Sequence, residues 1–596
     1  MKKIILTSCI ALLSAGAMLP LQSCGDKLQD YPWLVPDKEN EDDPETKVTT
    51  MDVLEKQMRS GIPYMLNYSH EPDGSWAPHN YQYQRANSID NYAGYWTTTK
   101  ANFAFGPALP TLYTDNNGYL GGAMDTGIYK QLKDALFSWN TAKYEGNDEV
   151  VPRPEWRAIA LICEAYQLSG IVDFYGVAPY TDWRENKRTT PINWQAGPEV
   201  YKLVLADLDE AIEKLKEAQP DQATLQRVEG ADQNKTLTNW NWRYWVKFAN
   251  SIKLRMAMNI VDYNDPDPFY GPEDNRKPFK AQSIAEEAVN DEIGVLLPSD
   301  DIDIAYRSYN TWTCCVYFMG TSWNDIRLGA AFENIMKHFK NPVLEVLFDA
   351  NQRPIKDKNG VTAPTGIYGV RNGLMMEDTG DAASGGYGPF AVLSGRHQYM
   401  DQPFFKRTEA TFLRAEGALR GWNMRGTAKE LYEEGIRLNM KQWGIADADI
   451  EKYLAQDELP TVEYRDYYVR SNDLPGRVSV GVKWNESDSP ELKLEKLITQ
   501  KWIAIWPCGA EAWTTYRRTG YPRLFPPKFN NMRNVDTELQ IRRMTIEETP
   551  NNGVEILQIT ELLGGTQDAG TRVFWDVNSA NWAKDAEGHI IPNNNL

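Results

Sequence analysis

Histidine is scarce, five in 596 residues, and cysteine is little commoner at six. Beyond residue 24 only Cys163, Cys314, Cys315 and Cys508 remain, scattered and without metal-ligand spacing, so neither a zinc centre nor a disulfide framework is expected. Cys163 and Cys508 read as small apolar core residues, and the adjacent Cys314 and Cys315 as free thiols. Basic residues are in deficit, 63 against 82 acidic ones, and the net charge of −19 removes the electrostatic basis for binding nucleic acid. The chain has no Gly-x-Ser-x-Gly elbow, no His-Glu-x-x-His pair and no phosphate loop. Carboxylate pairs are plentiful, but in so acidic a chain they mostly make solvated faces. No catalytic residue is assigned, and a surface glycoside hydrolase is the reading that such pairs leave open. Asp115-Asn116-Asn117-Gly118 and Asp357-Lys358-Asn359-Gly360 are pieces of a calcium loop without its closing glutamate, and they read as turns. No metal ligand or cofactor is assigned, with a structural calcium ion elsewhere left open.

What is present begins at the N-terminus. Lys2 and Lys3 precede an apolar run, Ile4 to Leu21, and Leu21-Gln22-Ser23-Cys24 closes it in the order of a secretory signal with a lipoprotein processing site, although Gln22 stands where a small residue is usual. A membrane span is the competing reading. Ser8, Ser14, Gly16 and Pro20 within the run, and a small residue directly before the cysteine, favour a signal peptide over 1–23 with the lipid on Cys24. Residues 24–47 are rich in acids and turn formers, among them Asp26, Asp30, Pro32, Asp42, Asp43 and Pro44. They are too polar to bury a core and read as a lipidated tether. Residues 48–596 then form the functional domain, long enough to need two packed regions or one extended helical stack.

Helical periodicity dominates that domain. Trp156, Ile159, Ala160, Cys163 and Gln167 share one face behind Pro154; Leu208, Ala211, Ile212 and Leu215 repeat the spacing behind Gly197-Pro198. Trp242, Trp245, Ala249 and Ile252 make a third such face, Ala428, Leu431, Tyr432 and Gly435 a fourth, and Leu494, Leu497, Ile498, Trp502 and Ile505 a fifth. The expected fold is mainly α, a tetratricopeptide-like stack of helical hairpins with a large irregular, loop-rich region, though no strict repeat of about 34 residues stands out. The helical scaffold is expected over about 150–260, 281–295, 408–445 and 490–516, and the irregular binding region over about 64–125, 300–400 and 455–490. The 20 tryptophans and 31 tyrosines exceed what such cores require, and their flat faces suit stacking on sugar rings as well as burial.

Four blocks narrow the reading. They are Asp173-Phe174-Tyr175-Gly176-Val177-Ala178-Pro179-Tyr180-Thr181, then Trp245-Val246-Lys247-Phe248-Ala249-Asn250-Ser251-Ile252-Lys253-Leu254-Arg255, then Gln500-Lys501-Trp502 through Glu511-Ala512-Trp513 to Arg517-Arg518-Thr519-Gly520-Tyr521-Pro522, and finally Gly564-Gly565 to Phe574-Trp575-Asp576. In this order, behind a lipoprotein signal, the chain resembles the SusD/RagB family of outer-membrane lipoproteins. Physically the blocks read as scaffold. Gly176 lets the chain reverse after a helix, Lys253 and Arg255 sit on a polar helix face, and Arg517 and Arg518 tie helix ends or carboxylates together.

The resemblance implies a surface-exposed receptor on the outer membrane, anchored by its lipid, that captures oligosaccharides and passes them to a SusC-like TonB-dependent transporter. A peptide-binding lid on the same scaffold is the alternative. Two aromatic clusters combine flat faces with hydrogen-bonding groups: Asn91, Tyr92, Tyr95 and Trp96 in an early loop, and Tyr306, Tyr309, Asn310 and Trp312 in the long central stretch. Both are candidate ligand platforms, and each aromatic would serve equally to fasten loops to the helices. Trp76, Trp323 and Trp422 are further candidates.

Overall fold

Proline, glycine and side-chain caps set the helix ends. Of the elements that position the site, the first are the short helix α1 (Ile89–Tyr92), strand β1 (Trp96–Thr98) and the long helices α2 (Pro154–Tyr175), α3 (Gly197–Ala218), α4 (Trp242–Asn259) and α5 (Ala281–Asn290). Strand β2 (Ile304–Tyr306), α6 (Cys315–Thr321), β3 (Ile326–Leu328), α7 (Ala330–His338) and β4 (Gln402–Phe405) come next. The series closes with α8 (Arg407–Leu419), α9 (Ala428–Gln442), α10 (Pro490–Ala504), α11 (Gly509–Thr519) and α12 (Gly553–Leu562). The computed structural model describes residues 81–86, 88–99, 113–114, 154–184, 191–231, 236–308, 313–351, 353–374, 376, 386–457, 459–546, 548, 550 and 552–577. The signal, Cys24, the tether, Trp76, the turn at 115–118 and the candidates Tyr309, Asn310 and Trp312 lie outside the described residues.

The protein is mainly helical. Pro198 lies in the first turn of α3, which buries Val200, Tyr201, Val204, Leu208, Ala211, Ile212 and Leu215 on one face. Asn241 caps α4 by accepting from the Arg243 amide, and Thr427 and Glu430 close a reciprocal capping box at the start of α9. Consecutive helices pack in pairs, α2 with α3, α4 with α5, and α8 with α9. Further contacts of α4 with α2, α3 and α8, and of α8 with α10, join the pairs into a stack. Helix α2 is the exception to amphipathic patterning. By length and composition it could cross a membrane, yet 89% of its apolar stretch is buried inside the fold. Its end is set by Gly176, which takes φ +81° while its amide donates to the Val172 carbonyl at 2.8 Å.

The four sequence blocks meet in space. The Asp173 carboxylate accepts from the Tyr201 hydroxyl, from Asn259 Nδ2 (3.2 Å) and from Trp575 Nε1 (2.9 Å). Arg517 lies over the rings of Trp513 (3.6 Å) and Trp575 (4.9 Å) and donates to the Asp173 and Arg542 carbonyls. Arg518 holds Glu416 bidentately at 2.7 Å on both oxygens. Lys253 and Arg255 do not face solvent, as their helical position suggested. Lys253 is buried against Asp209 and Glu287, and Arg255 grips the buried Glu409 at 2.6 and 2.9 Å.

The strands are short, forming five two-stranded ladders among the described residues. β1 runs antiparallel to β3, pairing Trp96 with Leu328, Thr97 with Arg327 and Thr98 with Ile326. Gly329 follows at the crossing, where a Cβ would come within 2.4 Å of the Gly94 carbonyl oxygen. The span 300–400 is less irregular than its composition suggests, since it contains α6 and α7. Asp357 forms a turn, its carboxylate accepting the amides of Asn359 and Val361. All four described cysteines are free thiols, with Cys163, Cys314 and Cys315 buried and Cys508 half-buried.

Candidate ligand-binding cleft

The turn between α6 and β3 and the loop from Asp349 to Arg353 face a cleft of about 310 Å³. Tyr317 and Thr321 of α6, Asn324, Arg327, Asp349, Asn351 and Arg353 line it, together with residues 388–393 and Gly395. Asn324 adopts the left-handed conformation at φ +55°, which asparagine tolerates, and its Oδ1 accepts from Arg327 Nη2 at 3.2 Å. Arg327 is buried and wired to carbonyls: Gly320 (3.2 Å), Ile326 (2.8 Å) and Gly388 (3.0 and 3.2 Å). Burial, reinforced by Arg353, pulls its pKa down to about 10, so it stays cationic at neutral pH.

The other polar side chains are held in place by the protein. Asn351 Oδ1 accepts the Gly366 amide at 2.8 Å, and its Nδ2 donates to the Arg353 carbonyl at 2.8 Å. Asp349 is ion-paired with Arg396 at 2.9 Å, both side chains being exposed. Tyr317 is half-buried, and its hydroxyl makes no hydrogen bond among the described residues. Beside it, the half-buried Phe318 and Trp323 pack edge to face at 5.2 Å. The cleft thus offers one aromatic face and a fixed set of polar groups on loops braced by β3, the composition of a small-ligand site.

The early cluster is elsewhere. Asn91, Tyr92, Tyr95 and Trp96 are core residues, with Tyr95 and Trp96 wholly inaccessible. Tyr95 donates to the Trp502 carbonyl and lies 4.9 Å from the Trp502 ring, while Trp502 Nε1 donates to the Ala93 carbonyl. Trp96 packs 5.9 Å from both Phe348 and Trp506. Tyr306 is also buried, paired with Gln402 across the β2–β4 ladder and edge-on to Phe404 at 5.3 Å. None of these five has a face for a ligand, because distant aromatics cover them. The β1–β3 ladder does bring the early segment beside the central one, although none of the early segment's described residues lines the cleft. Trp422 is half-buried beyond the end of α8. Tyr317, Asn324, Asn351 and Arg353 were not singled out in the sequence; asparagines flanking half-exposed aromatics within 300–400 are the signal that could have found them.

A larger groove of about 1090 Å³ runs along α3 toward the segment 267–277. Several of its charged groups are ion-paired: Lys277 bridges Asp209 and Glu287 at 2.8 Å each, Lys253 reaches the same two carboxylates, and Lys202 pairs with Asp265 at 2.9 Å.

A family model described as SusD-like, "SusD and RagB outer membrane lipoprotein", matches residues 40–576. The chain belongs to the SusD-like family. Among solved structures it is similar to a chitin-binding SusD homologue from Flavobacterium johnsoniae, at 31% identity over 87% of this chain and 99% of that one, with a TM-score of 0.71. A SusD homologue from Bacteroides uniformis follows at 27% identity, covering 88% and 99% of the two chains, with a TM-score of 0.69. One from Bacteroides vulgatus, at 23% identity with 88% and 98% covered and a TM-score of 0.71, shares the fold. None of the curated proteins matches the chain. The SusD-like blocks are therefore the scaffold described above, and the loops around Tyr317 and Arg353 are carried on it.

Proposed function

We propose that this SusD-like protein is a lipid-anchored receptor facing the cell exterior, which binds an oligosaccharide in the Tyr317–Asn324–Arg353 cleft and delivers it to a SusC-like TonB-dependent transporter. The observation that carries the glycan reading is the likeness to a chitin-binding homologue over nearly the whole of both chains. The cleft suits a binder better than a hydrolase. Asp349 is its only lining carboxylate among the described residues and is already paired with Arg396, whereas glycoside hydrolysis needs two carboxyl groups placed across the bond. Tyr309, Asn310 and Trp312 immediately precede α6 in sequence and remain proposed contributors.

Calorimetry with a panel of oligosaccharides, chitin oligomers first, tests the reading. Tyr317→Ala and Asn324→Ala should each weaken binding about three- to tenfold, as the loss of one stacking face or hydrogen bond implies, with unchanged melting. Binding confined to peptides, or time-dependent release of shorter sugars by the pure protein, would replace the ligand or the receptor reading respectively. Co-purification of a TonB-dependent barrel from native membranes tests the partner.

The anchor is tested separately. Cys24→Ser removes the only thiol at the processing site, so the variant should accumulate unprocessed or unanchored. Mature protein that begins elsewhere and fractionates as freely soluble would refute the lipid anchor.

A further inference from the structure

A chain with a net charge of −19 carries a cleft whose balance runs the other way. The charged side chains lining it are Arg327, Asp349 and Arg353; Asp349 is ion-paired with Arg396 at the surface, and Asp325 lies close enough to act on Arg327. Arg327 has carbonyl partners and an amide oxygen but no carboxylate in hydrogen-bond reach. Arg353 is exposed, and its guanidinium makes no hydrogen bond or ion pair among the described residues.

The hydrogen-bond inventory points the same way. Asn324 Oδ1 accepts from Arg327, Asn351 Oδ1 accepts the Gly366 amide, and Asp349 Oδ1 accepts from Arg396. The Arg353 guanidinium is the strongest open donor among the described lining residues, joined by the Asn324 amide nitrogen and the Tyr317 hydroxyl. A ligand group that is all acceptor matches these donors.

We propose that the cleft selects oligosaccharides bearing an anionic group, with Arg353 as the residue that binds it and the buried Arg327 supplying a fixed positive background. The inference rests on the oligosaccharide reading above. A guanidinium takes a carboxylate or sulfate oxygen pair in a bidentate fork, and the open donors donate to neighbouring ring oxygens. Local field thereby outweighs the repulsion of the distant acidic surface, because unpaired charges beyond about a Debye length are screened.

The test is calorimetry on the mature chain with matched pairs. Tetragalacturonate against its carboxyl-reduced form probes carboxylate, and a sulfated chondroitin tetrasaccharide against its desulfated form probes sulfate. At least one charged member should bind about tenfold more tightly than its partner in about 0.1 M salt, where charges more than about 10 Å away are screened, and the ratio should shrink toward one in about 1 M salt. Arg353→Gln should collapse the ratio at unchanged melting temperature, and Arg353→Lys should retain part of it. Equal affinities within both pairs, or a preference that survives Arg353→Gln, would overturn the selection while leaving the receptor intact. If neither these nor any neutral oligosaccharide bound, the receptor reading itself would fail.

Discussion

Trp96→Ala is expected to destabilise the protein by about 3–5 kcal/mol, the cost of removing a large aromatic from a close-packed site that cannot collapse around the cavity. Trp96 has no accessible surface, lies against Phe348 and Trp506, and forms one end of the β1–β3 ladder. Its partners come from segments some 250 and 410 positions away, so the cavity would loosen the junction between the loop region and α10. Denaturant unfolding with a parallel binding titration measures the effect. Weakened binding with unchanged stability would show that Trp96 presents a face to ligand after all.

Arg518→Ala should cost a comparable amount, about 3–5 kcal/mol, because it removes the bidentate partner of a buried carboxylate and leaves it to Arg420 alone. Glu416 has no accessible surface, and burial alone would raise its pKa. Arg518, with Arg420 behind it, outweighs that and holds the carboxyl down at about 2, against an ordinary value of 4.5. A depressed carboxylate contributes its full stability above about pH 4.5 and loses it as pH falls toward 2, since the unfolded state then binds the proton more readily. Acid unfolding of the wild type should therefore steepen below pH 4.5, and Arg518→Ala should flatten that dependence. A double replacement, Glu416→Leu with Arg518→Met, should recover most of the stability. A single variant as stable as wild type at pH 7 would mean that solvent reaches the pair.

The helices were legible because their information is local. Pro154, the Gly197-Pro198 pair and the three-to-four spacing behind each are satisfied within one turn or two, whatever the rest of the chain does. The buried charge pairs were half-legible: two adjacent arginines announced a carboxylate partner, but nothing local says that Arg518 finds Glu416 and Arg517 lies between two tryptophans. The early aromatic cluster and Tyr306 were misread for the same reason. An asparagine beside tyrosines and a tryptophan in a non-helical stretch reads identically whether the rings meet a sugar or meet Phe332, Phe348, Trp502 and Trp506. Only long-range packing decides. The cleft itself was the least legible, because its character lies in which hydrogen-bonding atoms are already occupied, a property of pairs such as Asn351 with Gly366 and Arg327 with Gly388.

Helix α2 bears on how such a protein reaches its destination. An outer-membrane lipoprotein passes the inner membrane as an unfolded thread, and during that passage α3 and α4 are not yet there to cover the apolar surface of residues 154–175. A stretch of this length is at risk of leaving the channel sideways into lipid. Glu164, buried at the middle of α2, and Asp173 near its end are the residues that oppose this, since an acidic side chain near the centre of a would-be span penalises insertion by about 2.5–3.5 kcal/mol. In a chain exported this way, side chains that burden the finished fold with buried carboxylates would keep the nascent chain moving through.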